Sequence, residues 1–254
     1  MHADRCCYHV AAYNEIDYEL ELSFALFWRA MESLQLNVCT GDLAMNYKPY
    51  ESIVRFCESA LDRHGDNYLG VGWTKKPENA DTRYRVMLEM IRHPASEKVT
   101  LLDFGCGASH LYEYIQRQGF THLEYSGLDI SEKFLTLSRN KFPFIKYYAL
   151  DILNDETALP EFDYIALNGV FTAKCDLPYE EMLSYLKEVL PRVFKSARTG
   201  ISFNVMSKQV EWERDDLFHL PFDTLASFLV NHLSRNFVIR HDYGLYEYTT
   251  YVYR

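Results

Sequence analysis

The chain of 254 residues holds no run of basic residues, no C-x-x-C pair and no stretch near the roughly 18 apolar residues of a membrane-spanning helix. Each absence closes off a class of function. Without clustered Lys and Arg, and at a formal charge of −10 with pI near 5.4, phosphate-backbone binding lacks its driving force, so no nucleic-acid partner is expected. The cysteines at 6, 7, 39, 57, 106 and 175 have neither the mutual spacing nor the histidine spacing of a zinc site. No basic segment followed by an apolar core opens the chain, so neither a targeting segment nor a membrane partner is expected. The setting that follows is cytoplasmic and reducing, with free thiols.

What is present is apolar and aromatic. Hydrophobic residues make up 48% of the chain, enough for one large domain, or one domain with an appendage. The 20 Tyr and 16 Phe are dense enough to serve both cores and ligand walls.

Val99 to Ile115, VTLLDFGCGASHLYEYI, is the stretch around which the rest is arranged. An apolar run, then Asp103-Phe104-Gly105-Cys106-Gly107, then a helical pattern reads as a buried parallel strand turning sharply into a helix. Glycine there allows a tight turn and lets a ligand lie against the main chain. The helix start adds unpaired N–H groups and the positive end of its dipole.

Upstream, residues 1 to 46 carry a helical stripe of Leu20, Phe24, Phe27, Trp28 and Met31 that fits packing on the main domain or on another subunit. YESIVRFCESALDRHG reads as a second helix closed by Gly65. In the loop that follows, Trp73 reads equally as a loop anchor or as an adenine or substrate wall. ADTRYRVMLEMI is a third helix, with Asp81 or Thr82 as its cap, and Arg83 sits in its first turn, a poor place for a cation.

Downstream, strands alternate with helices of about ten residues, the pattern of a parallel sheet covered on both faces. Ligands of such sheets bind beyond the carboxyl ends of the strands. Those ends carry Asp129, followed by Ile130; Asp151, followed by Ile152; and Asn168. Asp129 lies a little over twenty residues past the glycine turn, where a carboxylate takes both ribose hydroxyls; as an alternative it caps the helix starting at Ser131. Asn236 to Asp242 and Glu247 to Tyr253 read as a hairpin turning at Gly244.

The D-x-G-x-G form of Asp103, Gly105 and Gly107 resembles motif I of the class I S-adenosylmethionine (SAM) dependent methyltransferases. The resemblance covers roughly residues 83 to 254. It implies a doubly wound α/β fold, with a mostly parallel seven-stranded sheet, a C-terminal antiparallel hairpin and an N-terminal helical cap. The cap would span 1–80 and the SAM domain 81–254, with the N-terminal helices and an insert at about 205–222, the latter through Trp212, Phe218 and Phe222, walling the acceptor pocket. That insert reads equally as a surface helix stopped by Pro221.

SAM is then the implied cofactor. Its implied contacts are Trp73, Arg83 (suited to the SAM carboxylate), Asp103, Gly105, Gly107, Asp129, Ile130, Asp151 (reading the adenine amino group), Ile152 and Asn168. For the chemistry, residues near strand ends are Asn168, Asn204, His110, His241, Asp242 and Glu247. His241 is the choice for base, with Asn168 and Asn204 beside the acceptor. No metal is expected, because Asn168 stands where metal-dependent members want an aspartate.

The implied activity is methyl transfer to a small-molecule or sugar-like acceptor, at O or N. The partner calls are that small molecule and a homodimer through the N-terminal helices. The alternatives are a non-catalytic SAM-binding subunit and an NAD-linked oxidoreductase. The latter is disfavoured by His110, which takes the place of a third glycine, and by the terminal hairpin.

Overall fold

The computed structural model describes residues 48, 50–73, 77–154 and 158–254. The stripe from Leu20 to Met31, and with it a dimer through the N-terminal helices, lies outside the described residues. Lys48–Arg254 forms one compact unit. No helix among the described residues is long and apolar enough to cross a membrane.

In chain order the elements are α1 (Glu51–His64), α2 (Pro77–Leu88), β1 (Val99–Phe104), α3 (His110–Gln118), β2 (Leu123–Asp129), α4 (Glu132–Lys141), β3 (Lys146–Ala149) and β4 (Phe162–Leu167). They continue with α5 (Tyr179–Lys195), β5 (Ala197–Ser207), β6 (His219–Leu220), α6 (Phe222–His232), β7 (Phe237–Arg240) and β8 (Glu247–Tyr253). The sheet runs β3-β2-β1-β4-β5-β8-β7. All neighbours are parallel except β8, which is antiparallel to both β5 and β7. The strand order reverses at β1 and β4, so the loops leaving those two strands diverge and open a crevice at their carboxyl ends.

The period of two along each strand sorts side chains into two cores. Leu102 and Phe104 of β1, Ile165 and Leu167 of β4, and Tyr248 and Val252 of β8 join α5 and α6 on one face. Val99 and Leu101, Tyr164 and Ala166, and Tyr251 and Tyr253 join α2 and α3 on the other. On the first face α5 buries Met182, Leu183, Leu186, Val189, Leu190, Val193 and Phe194, a stripe at three- and four-residue spacings. Every residue of β8 is buried, as its place between β5 and β7 requires.

Several sequence expectations are corrected in detail. The third helix begins at Pro77 rather than at an Asp81 or Thr82 cap, because proline's fixed φ suits the first helical position. The third strand is only Lys146–Ala149, an edge strand with one neighbour. A two-residue β6 on β5 adds to the seven-stranded path, and Pro221 precedes α6 instead of stopping a helix. The 205–222 segment therefore holds the end of β5, a loop, β6 and, at Phe222, the first residue of α6. Its Phe218 is fully buried, while Trp212 is 69% exposed.

Phe203 of β5 is fully buried and meets Phe171 edge-on, with ring centroids 6.1 Å apart. Phe203→Ala is expected to cost about 3–5 kcal/mol in urea unfolding, through lost burial and the cavity left behind. A loss below about 1 kcal/mol would mean that this face of the sheet is not the close-packed core described here.

Candidate functional site

The turn after β1 is built for close approach. Gly105 (φ +73°) and Gly107 (φ +50°) are left-handed, and a Cβ on Gly105 would stand 2.8 Å from Val170 Cγ2. Gly105 N–H and Cys106 N–H both donate to Leu128 O, at 2.8 and 2.9 Å, tying the turn to β2. Ser109 is also left-handed, at φ +60°, which costs a non-glycine residue about 1–2 kcal/mol. Hydrogen bonds hold the strained segment. Ser109 Oγ donates to Ser138 Oγ (2.9 Å), Ser138 Oγ to Gly107 O (2.8 Å) and Lys141 Nζ to Ala108 O (2.9 Å).

Asp129 closes this turn from below. Its Oδ2 accepts Gly107 N–H at 2.8 Å and its Oδ1 accepts Ser131 N–H at 2.9 Å. Ser131, not Asp129, caps α4, its Oγ accepting Phe134 N–H at 3.3 Å. Each Asp129 oxygen keeps a lone pair for a further donor.

Beside it Asp103 accepts the Tyr125 hydroxyl at 2.8 Å. Burial pushes Asp103 up to about 7; the Tyr125 bond opposes that shift and the neighbouring Asp129 adds to it. Burial also raises Asp129, more than its backbone N–H bonds lower it. Both carboxylates are nearly inaccessible, 3% and 8% exposed, and among the described residues no cation stands among the main groups that would offset either upward shift.

A cleft of about 1170 Å³, part of it open to solvent, lies over this turn. Of the residues expected at the cofactor, it brings together Trp73, Asp103, Gly105, Gly107, Asp129, Ile130, Asp151, Ile152 and Asn168. Asp151 arrives already engaged: its Oδ2 accepts Lys48 Nζ (2.8 Å), Tyr50 OH (2.5 Å) and Asn154 Nδ2 (2.9 Å). Burial works to raise its pKa, yet those donors outweigh it and hold the carboxyl below the usual range. Asn168 Oδ1 is buried without a partner.

Other expected residues stand outside the cleft lining. Arg83 is committed to Glu247, and Asn204 spends both ends of its carboxamide, donating to Glu247 and accepting from Gly169. His241 is exposed and packs edge-on against Phe222. No residue of the 205–222 segment lines the cleft.

From the sequence the N-terminal helices are expected to wall the pocket, without named residues; among the described residues α1 supplies such a wall. Tyr50, Ile53, Val54 and Cys57 line the cleft at three- and four-residue spacings, so the helical apolar stripe was the available signal. Ser131 Oγ donates to Glu58 at 2.5 Å and Lys133 pairs with Asp62, pinning α1 to the start of α4. Tyr185 stacks on Tyr50 at 5.3 Å across the same wall.

His110 also lines the cleft. Its Nε2 meets Asp66 Oδ1 at 2.8 Å, and its buried Nδ1 has no partner. Asp66, His110 and Glu113 are close enough to share a cation, but Lys141 already bridges Asp66 (2.7 Å) and Glu113 (2.6 Å).

These groups fit SAM. Its ammonium and sulfonium charges answer the two buried carboxylates, its ribose hydroxyls suit the spare lone pairs of Asp129, and the side-chain-free glycines leave room for it.

Comparisons with known proteins agree with this geometry. A family profile described as a methyltransferase domain matches residues 102–200. A Mycobacterium tuberculosis protein named “Putative methyltransferase Rv1506c” is 26% identical over 166 residues, which is 62% of this chain and 95% of that one. Among solved structures, 1,6-didemethyltoxoflavin-N1-methyltransferase of Burkholderia thailandensis, with 1,6-didemethyltoxoflavin and S-adenosylhomocysteine bound, is similar in fold. Its TM-score is 0.50 at 14% identity, over 85% of this chain and 93% of its own.

The charge at Asp103 carries a stability cost with a definite sign. An unfolded aspartate titrates near 3.9, whereas here the group is pushed up to about 7, so the folded state binds the extra proton between those values. Asp103's contribution is therefore fully present below about pH 4 and is lost as pH rises to about 7. Asp103→Asn, which cannot ionise, should gain about 2–4 kcal/mol on the native chain between pH 4 and pH 7.5 in urea unfolding. A gap that narrows over that range would contradict the assignment.

Proposed function

We propose for this chain, a class I S-adenosylmethionine-dependent methyltransferase, a small-molecule acceptor methylated at oxygen or nitrogen within the cleft over the β1 turn. The observation that carries the reading is the pair of buried carboxylates, Asp103 and Asp129, facing one cleft with no cation among the described residues to offset their burial. The Burkholderia structure, which holds 1,6-didemethyltoxoflavin, supports an acceptor of that size.

When bound, SAM supplies a methyl group on a positively charged sulfur, which leaves readily in an in-line displacement. The chain's own residues bind, orient and exclude water. Asp103 would hold the ammonium of the amino-acid part and Asp129 the ribose hydroxyls, with the side-chain-free turn at Gly105 and Gly107 leaving room for both. Ile130, Leu150, Ile152 and Asp151, which line the same cleft, would serve the adenine. Trp73, Tyr84, Tyr50 and Tyr185 form aromatic walls that keep water from the reacting centre. Asn168 offers an unpaired carbonyl oxygen at the wall, whose cost a donor on the ligand would offset.

The base assignment moves from His241 to His110. His241 stands exposed outside the cleft, whereas His110 lines it with Asp66 on one ring nitrogen and nothing on the other. That arrangement, a carboxylate orienting an imidazole, leaves Nδ1 to take a proton from an acceptor hydroxyl. The cleft phenols Tyr50, Tyr84 and Tyr185 are pushed above their ordinary range, chiefly by burial, and the Cys57 thiol is pushed up to about 12. None of these competes as a base at neutral pH. An amine acceptor needs no base beyond its own neutral form.

Calorimetry tests the core of the reading. The native chain should bind SAM and S-adenosylhomocysteine (SAH), and Asp129→Ala should abolish detectable binding of both while remaining folded. Well-folded native protein that binds neither would remove the proposal. For the base, turnover is read with methyl-labelled SAM and a low-molecular-weight extract. His110→Gln should lower it about 100-fold or more with SAH affinity held, the range for a lost general base. His241→Gln should match the native chain.

A further inference from the structure

Arg83 of α2 grips Glu247 of β8 as a fork: its Nε donates to Oε1 at 2.9 Å and to Oε2 at 2.7 Å, and its Nη2 to Oε2 at 2.7 Å. Glu247 is 2% exposed. Its Oε1 also accepts Asn204 Nδ2 of β5 at 2.9 Å, and Asn204 Oδ1 in turn accepts Gly169 N–H at 2.8 Å, in the loop leaving β4. On its other side the Arg83 guanidinium lies over the Trp73 ring, 5.0 Å from the centroid. Trp73 Nε1 stands 3.4 Å from the point where Gly169 would carry a Cβ. The contacts form a chain, Trp73, Arg83, Glu247, Asn204 and Gly169, whose two ends stand near one another at the cleft. Trp73 and Gly169 line the cleft with Asn168 and Val170, whereas Arg83, Asn204 and Glu247 do not.

Other ties also hold α2 and the residues just after it against β7 and β8. The Tyr251 hydroxyl donates to Val86 O at 2.5 Å, the Tyr253 hydroxyl donates to Met90 O at 3.0 Å, and Arg240 of β7 pairs with Glu89 at 2.8 Å. A buried ion pair is also weak support for a fold, since apolar residues of similar volume often serve as well. What separates the Arg83–Glu247 pair from the other ties is where it leads.

We infer that the Arg83–Glu247 pair is a positioning device for the ligand site, setting Trp73 and the Asn168–Val170 loop as one wall of the cleft. Arg83 acts through Glu247, Asn204 and Trp73 and does not touch the ligand. The inference rests on the reading that this cleft takes SAM and its product SAH.

The test is a double-mutant cycle on SAH affinity by calorimetry, with Arg83→Met, Glu247→Gln and the double variant. The double variant leaves no charge buried alone and so keeps the fold best. Each single change should weaken SAH about ten-fold, and the double change no more than the worse single one, as coupled neighbours behave. Arg83→Lys, which keeps the charge but loses the fork, should fall between. Arg240→Met, which breaks a tie away from the cleft, should stay within about two-fold of native.

An affinity loss in Arg83→Met with Glu247→Gln at native affinity would mean that Arg83 meets the ligand directly, and would overturn the inference. Native affinity in the double variant would reduce the pair to a structural role, with the same result. A readout without ligand keeps this separate from the functional reading. With Trp28 and Trp212 replaced by Phe, the emission of Trp73 should shift in Glu247→Gln even if the native chain binds no SAH. An unchanged emission would also overturn it.

Discussion

One carboxylate holds the working end of this molecule together. Asp129 places one oxygen on the N–H of Gly107 and the other on the N–H of Ser131, so a single buried side chain joins the turn after β1 to the start of α4. The turn needs such a tie. Its glycines and Ser109 all sit at positive φ, a shape that an unrestrained chain would leave, and the serine pays a steric cost to stay. Ser138, Lys141 and Leu128 supply the remaining restraints from the same side. The turn is therefore preformed, and its approachable backbone is present before any ligand arrives.

The same arrangement concentrates negative charge. Asp103 and Asp129 are both buried, Asp129 makes Asp103 harder to ionise, and lone pairs remain on both. In a fold selected for stability alone, an amide or apolar residue would be better at 103, given how far burial displaces that carboxyl. A cationic ligand converts the liability into affinity, because its charge replaces the solvation that the carboxylates lost. The binding free energy and the stability deficit thus arise from one electrostatic situation, which is a common form of the compromise between stability and activity.

The opposite wall is organised differently. On the α1 side, neutral and aromatic groups dominate, and the one carboxylate, Asp151, is held ionised by Lys48, Tyr50 and Asn154. Beside Trp73 the Arg83 guanidinium lies over the ring and starts a chain of hydrogen bonds through Glu247 and Asn204 to the loop after β4. The cleft is thus charged at the turn, where the amino-acid part and ribose would lie, and apolar along α1. Such a division suits a ligand with one polar, cationic end and one flat, aromatic end.

Much of this could be read along the chain, and the readable part was local. The strand, the D-x-G-x-G turn, the helix behind it and the carboxylates at 129 and 151 each follow from residues within one βα unit, where backbone geometry and spacing dictate who meets whom. The alternation of strands and helices and the glycine-turned hairpin likewise carried the mostly parallel sheet and its antiparallel end, because such connections leave few topologies open. Partnerships across the fold were not readable. Arg83 meets Glu247 from 164 positions away and Tyr50 meets Asp151 from 101, and nothing in the neighbourhood of either residue announces its partner. Residue type alone favoured His241 as a base and the aromatics of 205–222 as a cover. Only packing shows His241 exposed, Phe218 in the core and His110 at the cleft. Local sequence determined the turn and the acids beneath it; long-range contact decided which side chains surround them, since burial and pairing are properties of the whole folded chain.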